Sequence, residues 1–72
     1  MSEHRLGNRL KEARTELGLT QAELAMRVGV SRKTINTVEN NVFVPSTTLA
    51  LALARAFGRP VEALFYLEGD GG

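Results

Sequence analysis

Stop signals for helices recur along this chain at short intervals: Gly18, Gly29, Asn41, the "VPS" of residues 44–46, and Gly58. Each interval opens with a residue suited to start a helix, so the chain can build several short helices but no long one. Leu6, Leu10, Ala13 and Leu17 follow i, i+4, i+7, i+11, a helical stripe ended by Gly18. In "TQAE", Thr20 with Glu23 three places on forms a capping box. The helix it opens buries Leu24, Ala25 and Val28 and stops at Gly29, a residue that tolerates the left-handed C′ conformation. Ser31 caps a third helix with Ile35 and Val38 on its buried stripe and Asn41 as its left-handed terminator. Ser46 caps a fourth running to Phe57, and Pro60 sits in the first turn of a fifth, "PVEALFY". The pattern predicts an all-α, compact five-helix domain over residues 1–67. The tail "EGDGG", residues 68–72, has nothing to bury and is expected to be disordered.

At 72 residues this is one domain, near the lower size at which a chain without staples folds alone. It has no cysteine, hence no disulfide framework, thiolate metal site or thiol nucleophile. "MSEHRLGN" lacks the apolar run of a signal peptide, and "LALALA", Leu49–Ala54, is far too short to span a bilayer. A cytoplasmic location and no membrane partner are expected. Residues 1–40 carry seven Lys/Arg against five Asp/Glu, residues 41–72 two against three. An anionic partner must therefore be met by individually placed side chains rather than by bulk charge.

Two charges fall on apolar stripes. Arg14 lies between Leu10 and Leu17 on the first helix, and Glu39 lies one turn beyond Ile35 on the third. A lone charge inside a core is very costly, so the economical arrangement is a mutual ion pair that fixes the first helix against the third.

The second and third helices are joined by "GVS", with Gly29 for the sharp turn and Ala25 for a close crossing, which gives a helix-turn-helix at about residues 20–40. With Ile35, Val38 and Glu39 inward, Arg32, Lys33, Asn36, Thr37 and Asn40 form one polar face with no acid in it. Those are groups that read base edges in a major groove: Arg or Lys to guanine, Asn to adenine, the Thr methyl to the thymine methyl. Arg32 and Lys33 sit at the positive pole of the helix dipole, where a cation is disfavoured by roughly 0.3–1 kcal/mol. A polyanion at that helix end relieves the repulsion, and dipole and side chains then attract the same phosphates.

The segment "TQAELAMRVGVSRKTINTVENN" resembles the helix-turn-helix of the lambda-repressor and Cro-like (Xre-type) family. The resemblance extends from "NRLKEARTELGLTQ" through "PSTTLALALARAFGRPVEALF", and Gln21, Ala25, Gly29, Val30, Ile35 and "VEN" at 38–40 all stand where that family has them. It implies a transcriptional regulator, a repressor, associated with the nucleoid. It implies that Arg32, Lys33, Asn36 and Thr37 face the bases and that Gln21 and Asn40 anchor phosphates, and the Arg14–Glu39 pair resembles a buried pair of the family. Ser31, Asn41 and Phe43 complete the expected phosphate contacts. The chain departs from the family pattern at Asn41–Val42 and Val44, where Gly-Lys and Asn are usual, and at Pro60, where a Ser or Thr cap is usual. The loop "NVFVP" thereby loses a lysine, though backbone N–H groups around Val42 and Phe43 could still donate to phosphate.

So few basic residues bind DNA weakly in one copy, and two recognition helices about 34–36 Å apart on a pseudo-palindromic operator raise the affinity. A homodimer through the fifth helix and C-terminal segment is expected. From Leu49 to Phe57 all but Arg55 is apolar, and Phe65, Tyr66 and Leu67 are consecutive, too many neighbours for one small core to take. The pattern leaves open whether residues 65–68 extend as a short strand and whether such a strand lies against the N-terminus.

Two other classes fit less well. For an enzyme, the single histidine, His4, has no partner at catalytic spacing, and there is no glycine-rich phosphate loop. No catalytic residue, metal, cofactor or small-molecule ligand is expected. A protein-interaction module that keeps the helix-turn-helix without DNA binding has no reason to hold Gln21, Arg32, Lys33 and Asn40 on an acid-free face.

Overall fold

A computed structural model describes residues 5–68. In chain order it contains β1 (Arg5–Asn8), α1 (Leu10–Glu16), α2 (Gln21–Val28), α3 (Arg32–Glu39), α4 (Thr47–Phe57), α5 (Val61–Leu64) and β2 (Phe65–Glu68). The three middle helices begin where their caps dictate. Thr20 Oγ1 accepts the Glu23 N–H at 3.0 Å, and the Thr20 N–H donates in turn to the Glu23 carboxylate at 2.8 Å. Ser31 and Ser46 each accept an N–H three residues on, from Thr34 and Leu49, at 3.1 Å. Gly29 ends α2 at φ 77°, which opens the sharp turn into α3.

Asn41 follows α3 at φ 60°. Around it the Asn41 N–H bonds the Val38 carbonyl and the Val42 N–H the Thr37 carbonyl, at 3.1 and 2.9 Å. That is a Schellman closure with asparagine in the position usually given to glycine.

The chain ends differ from the sequence pattern. Leu6 was expected on the first helical turn; instead α1 starts at Leu10, and Leu6 lies on β1. Asn8 explains the late start: its Oδ1 accepts the Leu10 N–H at 3.0 Å, and its Nδ2 donates to the Val38 carbonyl at 2.9 Å. Leu17 follows the helix and is half exposed rather than part of the core. At the other end α5 is only Val61–Leu64, with Pro60 at the N-cap rather than inside the first turn. Phe65 and Tyr66 leave it for β2, which pairs antiparallel with β1 in the register Arg5↔Glu68, Leu6↔Leu67, Gly7↔Tyr66, Asn8↔Phe65. The all-α expectation thus holds with a two-stranded clasp added. Glu68, the first residue of the expected disordered tail, ends β2 opposite Arg5, while residues 69–72 of that tail and His4 lie outside the described residues.

The core is one cluster drawn from every element but β1: Leu10 and Ala13 from α1, Leu24 and Ala25 from α2, Ile35 and Val38 from α3, with α4, α5 and Phe65 closing it. Ala25 is 3% exposed and Ile35 and Val38 essentially buried, so the small residue at the α2–α3 crossing lets the two helices pack closely. On the clasp, Tyr66 lies over Gly7, where a Cβ would collide with the phenol ring, and the Arg9 guanidinium stands 4.5 Å from the ring centroid on the same side chain. No helix among the described residues is long and apolar enough to cross a membrane.

Candidate nucleic-acid interface

The interface is built around an ion pair. Arg14 Nε donates to Glu39 Oε2 at 2.7 Å, with a second, longer contact from the other guanidinium nitrogen to Oε1 at 3.3 Å. The remaining Arg14 nitrogen donates to the Leu19 carbonyl at 2.8 Å. The side chains are 14% and 3% exposed, and no buried side-chain polar atom among the described residues lacks a partner. The pair cancels the acid of α3 and turns it away from the surface, while tying α1 and the approach to α2 onto α3.

Gln21 joins the same cluster. Its Nε2 donates to Glu39 Oε1 at 3.0 Å, and its Oε1 stands 3.5 Å from Asn36 Nδ2, the outer limit of a hydrogen bond. A chain of contacts therefore runs Arg14–Glu39–Gln21–Asn36, from the interior to the outer face of α3. Sequence reading placed Gln21 on phosphate; it did not foresee this inward bond, which depends on the α2–α3 angle. Gln21 keeps one Nε2 proton free and lines a surface cleft with Thr20 and Arg32.

The outward face of α3 follows directly. Arg32, Lys33, Asn36 and Asn40 are exposed and Thr37 half-buried, with no acid in the first turn. Ser31 holds the helix start, its hydroxyl committed to the cap and to Thr34 Oγ1 at 3.0 Å. Thr37 turns its hydroxyl back on its own helix, 3.0 Å from both the Lys33 and the Thr34 carbonyls. Asn40 donates to the Asn36 carbonyl at 2.9 Å, leaving its Oδ1 and one N–H outward. Asn41 accepts from Asn8 Nδ2 at 3.0 Å and keeps its own amide protons.

One expected contact needs correction. The Val42 and Phe43 N–H groups both point at the Thr37 carbonyl, at 2.9 and 3.2 Å, so neither is free to donate to phosphate. The Schellman closure at Asn41 is the cause. What the loop presents instead is apolar: Val42, Phe43 and Val44 are 77%, 47% and 69% exposed.

The residues expected at a subunit contact separate. Phe65 is buried in the protein's own core, Tyr66 is engaged with Gly7 and Arg9, and Leu67 is 66% exposed opposite Leu6. Strand alternation puts Tyr66 on the face opposite Phe65 and Leu67; of the two that share a face, Phe65 adjoins the core at the end of α5, whereas Leu67 lies farther along β2 and stays exposed.

Comparison with known proteins agrees with this architecture. A helix-turn-helix family model matches residues 10–64. An uncharacterized HTH-type transcriptional regulator of Methanothermobacter thermautotrophicus is 52% identical over 63 residues, covering 86% of this chain and 91% of that protein. The restriction-modification controller protein C.AhdI from Aeromonas hydrophila superposes with a TM-score of 0.72 at 34% identity, over 76% of this chain and 80% of that one. A putative DNA-binding protein from Bacteroides fragilis gives 0.77 at 26% identity, over 85% and 98%. The chain belongs to the lambda-repressor-like helix-turn-helix family of transcriptional regulators.

Proposed function

We propose that the protein binds double-stranded DNA sequence-specifically as a homodimer, placing α3 in the major groove of each half of a pseudo-palindromic operator, and that it represses transcription from the nucleoid. The observation that carries this reading is the acid-free outer face of α3. Its one carboxylate, Glu39, is turned inward and held by Arg14 and Gln21, and two cations stand exposed in the first turn. A polyanion then meets cations and neutral amides along the face, and no carboxylate.

Arg32, Lys33, Asn36 and Thr37 read bases; Gln21, Ser31, Asn40 and Asn41 meet phosphate through their remaining polar groups. Phe43 does not join them, because its N–H is engaged. Leu67, with the exposed Leu51 of α4, supplies the apolar surface for the second copy, while Phe65 contributes through the core it supports. Repression is the simplest consequence, since an occupied operator excludes polymerase. The names borne by the relatives, a transcriptional regulator and a DNA-binding protein, support the reading.

The test is selection from a randomised duplex library at near-physiological salt, with sequencing of the bound fraction. An enriched inverted repeat with centres about one helical turn apart supports both binding and two-fold assembly. A single unrepeated motif would retain DNA binding and remove the dimer. No enrichment by folded protein would favour an interaction module built on the same fold.

A further inference from the structure

On the loop side of α3 lies an open cleft of about 320 Å³, lined by Lys33, Thr34, Thr37, Val42 and Phe43. We propose that it receives the 5-methyl group of a thymine in the operator, which makes Val42 and Phe43, outside the recognition helix, determinants of sequence specificity. The inference rests on the major-groove reading given above and assigns one base to one part of that surface.

Three observations carry it. First, the loop has no donor to offer there, because the Val42 and Phe43 N–H groups are bonded to the Thr37 carbonyl; its outward contribution is side-chain hydrocarbon. Second, the single hydroxyl proton of Thr37 is shared between the Lys33 and Thr34 carbonyls, so this residue has no donor for the thymine O4 and meets that base edge through its γ-methyl. Third, Lys33 stands on the rim and is exposed, so an ammonium adjoins the apolar floor.

In the major groove, thymine is the base that presents an apolar group, its C5-methyl, and the neighbouring O4 is an acceptor. A methyl for Thr37, Val42 and Phe43 beside an oxygen for Lys33 matches that edge group by group. Cytosine would place its amino donor against the ammonium and leave the apolar floor facing a bare ring edge. Continuity with the proposed interface is direct, since Lys33 and Thr37 belong to both the cleft and the outer face of α3.

The experiment is equilibrium binding of the full chain to its selected duplex, with each thymine replaced in turn by deoxyuridine, which deletes the methyl and nothing else. One position per half-site should weaken binding about fourfold, the worth of one buried methyl. At that position Thr37→Ser, which keeps the hydroxyl and its bonds but loses the methyl, should show a deoxyuridine penalty of less than about twofold. Phe43→Ala, checked for an intact helical spectrum, should behave likewise. Tolerance of deoxyuridine at every position, or an undiminished penalty in both variants, overturns the proposal while leaving DNA binding intact. A chain that selects no duplex overturns the DNA reading, and this assignment with it.

Discussion

Replacing Glu39 by Met should destabilise the protein far more than its single ion pair would at the surface. The Glu39 side chain is 3% exposed and accepts from Arg14 and Gln21 at 2.7, 3.3 and 3.0 Å, so its removal leaves the Arg14 side chain, 14% exposed, with its guanidinium held by the Leu19 carbonyl alone. Breaking one side of such a buried pair costs about 3–5 kcal/mol, against about 0–1 for an exposed one. For 72 residues the whole stability is on the order of 4–11 kcal/mol, so Glu39→Met should bring the domain close to unfolding. Arg14→Met should cost a similar amount. The double variant should cost no more than either single, because two methionines pack where two charges had to be desolvated. Urea unfolding followed by far-UV circular dichroism measures all four proteins. Single costs below about 1 kcal/mol, or a double variant whose cost is the sum of the two, would refute the account of a shielded pair pinning α1 to α3.

Other outcomes are expected on the same grounds. Arg32→Ala should weaken operator binding by about 1–3 kcal/mol and relax discrimination at one base pair per half-site, whereas Gln21→Ala should weaken all sequences alike; anisotropy titration against a panel of single-base variants separates the two. The capping bonds from the Thr20 backbone and side chain, aided by Arg27, hold the Glu23 carboxyl below its ordinary value of 4.5. Its contribution is therefore fully present above that value and lost as pH falls through the lowered one, so the melting temperature of Glu23→Gln, whose amide keeps the capping geometry without titrating, should fall less steeply with acidification than that of the parent. Leu67→Glu should leave the helical spectrum unchanged and shift sedimentation toward the monomer, since the side chain is 66% exposed and has no role in the core.

The middle of the fold was legible because its signals are local. Thr20–Glu23, Ser31, Gly29 and Ser46 fix helix ends through bonds to residues three or four positions away, and the observed boundaries follow them. The Arg14–Glu39 pair was also visible, as two charges on apolar stripes that had to meet something. The ends were not. Leu6 and Leu10 share a helical spacing, yet Asn8 takes the Leu10 N–H and sends the residues before it into a strand. The partner of that strand lies some sixty positions on, in the register Leu6↔Leu67, where no local pattern can point. The run Phe65–Tyr66–Leu67 was rightly too much for one core, but the relief came first from strand alternation and from Tyr66 lying over Gly7.

At the site, the face of α3 could be laid out from spacing, whereas the inward bond of Gln21 needed the crossing of two helices. The engaged loop N–H groups did carry a signal. A left-handed residue at Asn41 implies that the next N–H closes on the helix, which removes Val42 from the donors available to a phosphate.

Dimethyl sulfate footprinting on the selected operator tests the central claim most directly, because it modifies guanine N7 in the major groove and adenine N3 in the minor groove. The account predicts protection of guanine N7 within each half-site, lost at one guanine per half-site in Arg32→Ala, with adenine N3 still reactive. Full reactivity of guanine N7 under saturating protein would contradict it, and would mean that the acid-free face of α3 does not enter the major groove.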